Sequence, residues 1–260
     1  MQYKVRKNAI SILNEIDKNR AISYIIHYSC GSFTESETGY SPRITSIAIY
    51  NLKSGQTTSF SIHQVAEIKS IAFENIEMNY DSLEKEMLQN YFDFLNSHQT
   101  CKWIHWNMRN SNYGFKAIEH RFKVLGGVPV YLDDMNKIDL AKLFNEIYGD
   151  KYISHPKMEN IIRKNEISMK DFMTGREEAQ AFKNKEFVKL HQSTLRKVYA
   201  FSFLYDLALN KKLKSNSKWI DQYGLSLQGI YDYCMTNVFI VLIWNIIMLF
   251  LGGFIGSLFN

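Results

Sequence analysis

AISYIIHY, Ala21 to Tyr28, is a short apolar run rich in β-branched and aromatic residues, the composition of a buried strand. Ile44 to Tyr50 (ITSIAIY) repeats the pattern, and Thr57 to Ile62 alternates. Lys53-Ser54-Gly55-Gln56 between the last two supplies a hairpin turn. Tyr80 to Ser97 then carries Leu83, Met87, Leu88, Tyr91, Phe92 and Leu95 on one helical face. Lys102 to Trp106 (KWIHW) reads as a strand and Tyr113 to Val124 as a helix with Phe115, Ile118 and Phe122 inward, closed by Gly126. Val128 to Leu132 is the expected fifth strand. The predicted order is β-β-β-α-β-α-β, an α/β fold.

Helices are expected onward to about residue 210. Leu140, Leu143, Phe144 and Ile147 share a face ended by Gly149, Pro156 opens a short helix, and Ser168-x-x-Asp171 resembles a capping box. A long helix from Glu177 carries Phe182, Leu190, Thr194, Val198, Phe201 and Tyr205.

With 260 residues, 46% hydrophobic and 22% charged, the chain can bury a sizeable core and is not disordered. Cys30, Cys101 and Cys234 are too few and too scattered for a disulfide framework, and no CxxC pair points to zinc. The formal charge of +5 mildly favours an anionic partner.

The strand order is that of an RNase H-like mixed sheet, and residues 20 to 205 resemble the DEDD-type 3′-5′ exonucleases, more by order than by identity. That family ends its first strand in Asp-x-Glu; the matching stretch here is Tyr28-Ser29-Cys30-Gly31-Ser32-Phe33. A His-Asn signature has its counterpart in Ile104-His105-Trp106-Asn107-Met108, but Tyr113-Gly114-Phe115 follows without an acid. The final His-x4-Asp is His191 followed by Arg196. The resemblance implies two magnesium ions held by clustered carboxylates. Tyr28, Cys30 and Arg196 cannot hold them, and an arginine there attracts phosphate instead. A degenerate domain with no catalytic residue, no metal and no cofactor is the expectation. Arg109, His191, Arg196 and Lys197 are its candidate ligand or phosphate-binding residues.

No GxxxxGK[ST], GxGxxG, HExxH or GxSxG occurs. His105 and His191 could act in catalysis only beside carboxylates. Asp133, Asp134 and Asp139 could gather metal, though a turn and a helix N-terminus explain them equally well. Cys30 reads as a small core residue.

The final stretch, VFIVLIWNIIMLFLGGFIGSLF from Val238 to Phe259, holds 22 residues without a charge. As a helix it covers roughly 30 Å, the thickness of a bilayer's hydrocarbon; the competing reading is a buried core helix. Trp219, Tyr223, Tyr231 and Tyr233 precede it as an aromatic belt, after Lys211, Lys212, Lys214 and Lys218. The positive-inside rule then places the domain in the cytoplasm, and residues 1–20 lack the apolar stretch of a signal peptide. Asn245, Gly252 and Gly256 fall on one face, with a GxxxG spacing suited to helix–helix contact.

From Ala181 to Lys218 nine Lys or Arg face only Glu186 and Asp206, a local +7. Lys211 to Lys218 suit an anionic lipid surface; Arg196 and Lys197 suit a ligand or partner. The expected organisation is a cytoplasmic α/β sensing domain (1–209), a basic and aromatic juxtamembrane linker (210–237) and one transmembrane helix (238–259). This architecture resembles the membrane effectors of bacterial antiviral defence. It implies a non-catalytic inner-membrane protein that receives a nucleic-acid, nucleotide or protein signal and oligomerises, alone or with a signal-recognising protein, to disrupt the membrane. The alternatives are a membrane-tethered nuclease and a passive scaffold for a partner.

Overall fold

The computed structural model describes residues 2–31, 41–109 and 112–258, from residue 252 on as backbone only. Ser32 and Phe33 of the first exonuclease-like signature, and Phe259, lie outside the described residues.

The chain begins with a helix that the strand-led reading passed over: α1 (Gln2–Lys18) buries Ala9, Leu13 and Ile16, one face at helical spacing. A single tight turn leads into β1 (Ser23–Cys30), followed by β2 (Ile44–Asn51) and β3 (Thr57–Ser61). The third strand stops at Ser61, because Ile62 opens a short helix, α2 (Ile62–Ile68). Then come α3 (Tyr80–Asn96), β4 (Lys102–His105) and α4 (Phe115–Val124).

The fifth strand is displaced from its predicted place. Residues 128–132 are irregular, and β5 is Lys137–Asp139. Pro129 has no N–H to give to a ladder, and Val128 is 85% exposed. Lys137, Ile138 and Asp139 instead pair in parallel with Trp103, Ile104 and His105.

The sheet is mixed, ordered β3-β2-β1-β4-β5. β1, β2 and β3 form an antiparallel meander, while β4 runs parallel to the first half of β1, from Ser23↔Lys102 to Ile26↔His105. Successive residues of a strand face opposite sides. Ile26 and Tyr28 accordingly join one core with Leu83, Met87, Tyr91 and Phe122, whereas Ile25 and Ile104 join another on the far face. The far core is completed by α1, α5 (Leu140–Tyr148), α6 (Lys157–Lys164) and α8 (Phe187–Leu209).

A buried ion pair ties the first core together. Glu84, fully buried on α3, accepts from Arg121 of α4 at 2.6 Å and from the Ile44 backbone N–H of β2 at 2.6 Å. Burial pushes the Glu84 carboxyl up, and Arg121 pulls it back down. The hydrogen bonds leave neither charge uncompensated.

Two helix readings need correction. Ser168-x-x-Asp171 caps nothing, since residues 167–174 are irregular; the capping box is Thr174 with Glu177, at the start of α7 (Gly175–Lys183). The predicted long helix from Glu177 is two helices, α7 and α8, broken where Lys185 takes φ 60°.

Beyond α8 the segment expected as linker holds α9 (Trp219–Tyr223) and α10 (Leu227–Thr236), followed by α11 (Val238–Leu258). α9 is seated on the domain: Arg6 of α1 lies 4.3 Å over the Tyr223 ring, and Gly149 after α5 abuts Asp221. Among the described residues no single helix is long and apolar enough to cross a membrane. Leu227–Thr236 and Val238–Leu251 pass that test only together, bent by 96°. Of the expected aromatic belt, Tyr223 is buried and Tyr233 stacks on Trp219 at 5.1 Å, so both face the protein, while Tyr231 faces out.

Candidate functional site

Strands β4 and β5 end level with one another, at His105 and Asp139, whereas β1 runs on to Cys30. The chain leaving β4 and the outgoing half of β1 therefore flank an opening at the carboxyl ends of the parallel strands. Open α/β sheets commonly bind ligands at that edge. A cavity of about 580 Å³ lies there, lined among others by His27, Asn107, Arg109, Tyr113, Glu178 and Lys197.

Lys197 comes from α8 and Glu178 from α7. Their Nζ and Oε1 atoms stand 2.7 Å apart, and the side chains are 5% and 13% exposed. Glu178 also accepts from the Ser193 hydroxyl at 2.8 Å, and Ser193 accepts from the Met173 N–H. Lys197 lies 5.2 Å over the Phe172 ring. The break between α7 and α8 makes this possible, because it lets α7 return alongside α8.

His27 of β1 is buried, and burial together with the Lys197 charge holds its pKa well below the ordinary range. The imidazole is therefore neutral at pH 7. The Tyr113 hydroxyl lies 3.3 Å from His27 Nδ1 and donates to the Tyr28 carbonyl at 3.3 Å. Its ring stacks on Tyr28 at 4.6 Å, and the Tyr28 hydroxyl accepts from the Gly114 N–H. Burial raises both phenols, so they too stay neutral.

On the opposite wall, Asn107 takes φ 55°, a left-handed conformation that Asn tolerates better than most residues. Its side-chain oxygen accepts from Arg109 at 2.8 Å. Arg109 Nε lies 2.5 Å from Asp139 Oδ2, and the guanidinium remains half exposed. Asp139 caps α5 by accepting from the Ala141 and Lys142 N–H groups, and it also accepts from the Asn107 N–H. One carboxylate thus fixes both the helix start and the loop that presents Arg109. His105 Nδ1 accepts from the Met108 N–H. Burial lowers the His105 pKa to about 4, with Asp139 opposing and Arg109 adding to the shift. It is a neutral residue that positions the loop.

Glu178, Gly175 and Tyr113 also line a second cavity of about 480 Å³ that reaches Cys30. Burial pushes the Cys30 thiol far up, which makes it unreactive.

Of the residues singled out in the sequence, Arg109 and Lys197 share the cleft, while His191 and Arg196 lie off it. His191 Nε2 is 3.3 Å from the Ser59 hydroxyl, and its ring meets His63 at 5.2 Å. Arg196 lies half-buried over the Tyr199 ring. One step along a helix rotates the side chain by about 100°, so the cation in the cleft is Lys197 and not its neighbour. Asp133 accepts from the Met135 N–H and Asp134 pairs with Lys137, which makes them turn residues. Lys211, Lys212 and Lys218 are exposed, and Lys214 pairs with Glu166 at 2.6 Å. Asn245 is exposed on α11; Gly252 and Gly256 belong to its backbone-only end.

His27 and Glu178 are among the cleft residues that the sequence did not single out. His27 was hidden in an apolar strand, and Glu178 in a helix assumed to be continuous.

The two-magnesium arrangement implied by the exonuclease resemblance does not fit these residues. The cleft's carboxylates are Glu159 and Glu178, and Glu178 is already held by Lys197 and Ser193. Among the described residues no three His, Cys, Asp or Glu side chains gather as a metal site. The arrangement can instead donate hydrogen bonds and present a cation beside aromatic surfaces. No family model, curated protein or solved structure matches the chain.

Proposed function

We propose that this chain is a membrane-anchored, non-catalytic effector whose α/β domain is a degenerate RNase H-like domain of the DEDD exonuclease type. The domain binds an anionic nucleotide or nucleic-acid signal in the cleft between Arg109 and Lys197. The apolar C-terminal helix then acts as a transmembrane segment and oligomerises to disrupt the bilayer, as in abortive antiviral defence. The inner membrane, with the domain in the cytoplasm, is its proposed location.

The observation that carries this reading is Arg109, whose half-exposed guanidinium lines the cleft at the strand ends. The meander followed by two parallel strands, in the order β3-β2-β1-β4-β5, supports the RNase H-like assignment. Arg109 can meet phosphate, while the half-buried Phe172 in the same cleft offers aromatic surface to a base. The neutral His27 and Tyr113 add hydrogen-bonding groups without adding negative charge.

The test is binding by the full chain in detergent, read by tryptophan fluorescence with mononucleotides and a short single-stranded oligonucleotide. Binding that weakens with salt and falls at least tenfold in Arg109→Ala supports the reading. Absence of binding to either removes the nucleotide signal and leaves a protein signal or a passive scaffold. Cleavage of the oligonucleotide that a chelator abolishes would instead establish a tethered nuclease.

A further inference from the structure

We propose that α10 is an interfacial helix, lying side-on in the headgroup layer of an anionic phospholipid membrane while α11 enters the bilayer. This rests on the membrane reading above and names the lipid surface that the protein meets. Leu227, Ile230, Tyr231, Cys234 and Met235 recur at i, i+3, i+4, i+7 and i+8, which is one face of a helix. That face is turned away from the domain: Leu227 is 90% exposed, and Tyr231 and Met235 are more than half exposed. The opposite face is used within the protein. Tyr233 packs on Trp219 and Tyr223, and Gly229 lies so close to the Tyr223 carbonyl that a Cβ there would be 2.1 Å from it.

Two further observations select lipid as the occupant. Past Thr236 and Asn237 the apolar surface resumes at the exposed Val238 and Phe239 of α11, and the two helices meet at 96°. If α11 enters a membrane, α10 must lie nearly along its surface, and an amphipathic helix in that orientation sinks its apolar face into the headgroup boundary. The surroundings are also basic. Lys211, Lys212 and Lys218 are exposed before α10, and Lys4 and Lys7 are exposed on α1, against which α9 is seated. Such charge favours anionic lipid. Asp232 stays on the protein side, 3.5 Å from the Tyr3 hydroxyl, and avoids the cost of a carboxylate in hydrocarbon.

Cys30 and Cys101 are buried, whereas Cys234 is partly exposed on the stripe. A nitroxide can therefore be attached to the native Cys234 in the full chain, reconstituted in phosphatidylcholine–phosphatidylglycerol vesicles. Three further variants carry Cys234→Ser together with Leu227→Cys, Gln228→Cys or Leu242→Cys. Depth is read from relaxation by oxygen against a water-soluble nickel chelate. Labels at 227 and 234 should sit at one shallow depth, about 5–10 Å below the headgroups. The label at 228, on the flank of the stripe, should be more accessible to the nickel chelate than those at 227 and 234, and that at 242 should lie deeper. A steady increase in depth from 227 to 242 would overturn the proposal in favour of a continuous span. Labels at 227 and 234 in water, with that at 242 in the bilayer, would also overturn it. If the label at 242 is in water as well, the membrane reading itself fails.

Discussion

Lys197 Nζ and Glu178 Oε1 meet at 2.7 Å inside the cleft, and neither side chain has appreciable access to water. Removing one partner leaves the other charge buried and unpaired. Lys197→Ala should therefore destabilise the domain by about 3–5 kcal/mol. The double variant Lys197→Met/Glu178→Leu should recover most of that loss. Urea unfolding of the full chain in detergent, followed by circular dichroism, measures both. A Lys197→Ala loss below about 1 kcal/mol would mean that the pair is solvated.

Stability should fall in acid because of His105 and His191. Each has a folded pKa near 4 against an ordinary 6.5, with burial the main cause. A lowered folded pKa means that the unfolded chain binds the proton first. The stabilisation is present above pH 6.5 and is lost as pH falls toward 4, by about 1.4 kcal/mol per pH unit for each group. His191→Gln, which keeps a partner for Ser59, should flatten the dependence of the urea midpoint across that window. An unchanged slope would show that His191 is protonated in the folded protein.

Gly229→Ala should loosen α10 from α9, since the added methyl collides with the Tyr223 carbonyl, a backbone atom that cannot swing aside. The cost is about 1–3 kcal/mol, as for other overpacked sites. Trp219 stacks on Tyr233 and reports the change. Its emission should shift to the red in the variant, and an unshifted spectrum would mean that the two helices are not packed as described.

Much of the architecture was legible in the sequence because its signals are local. The hairpin of β2 and β3, the apolar face of α3 and the Gly149 stop after α5 all rest on spacing and turn chemistry. The fifth strand was not legible, because Lys137-Ile138-Asp139 is too short to show alternation and is specified by pairing with β4. The site was legible only in part. Arg109 stood out as a cation after a strand, but Lys197 could not be separated from Arg196 without the phase of α8. Glu178 could not be linked to Lys197 until the break at Lys185 was known.

On the proposed membrane reading, α11 should associate with itself through Asn245, Gly252 and Gly256. Asn245→Leu with Gly252→Leu should weaken self-association at least severalfold in a membrane two-hybrid reporter, since the variant removes an amide able to bond across helices and blocks their close approach. An unchanged signal would remove this face from the assembly.

The most direct test of the effector reading is membrane potential in bacterial cells expressing the full chain, with a version ending at Asn237 as control. A potential-sensitive dye should report depolarisation with the full chain, in the presence of its nucleotide or nucleic-acid signal, and none with the shortened one. An unchanged potential with the full chain in the membrane and its signal bound would contradict the reading and leave the protein as a tether.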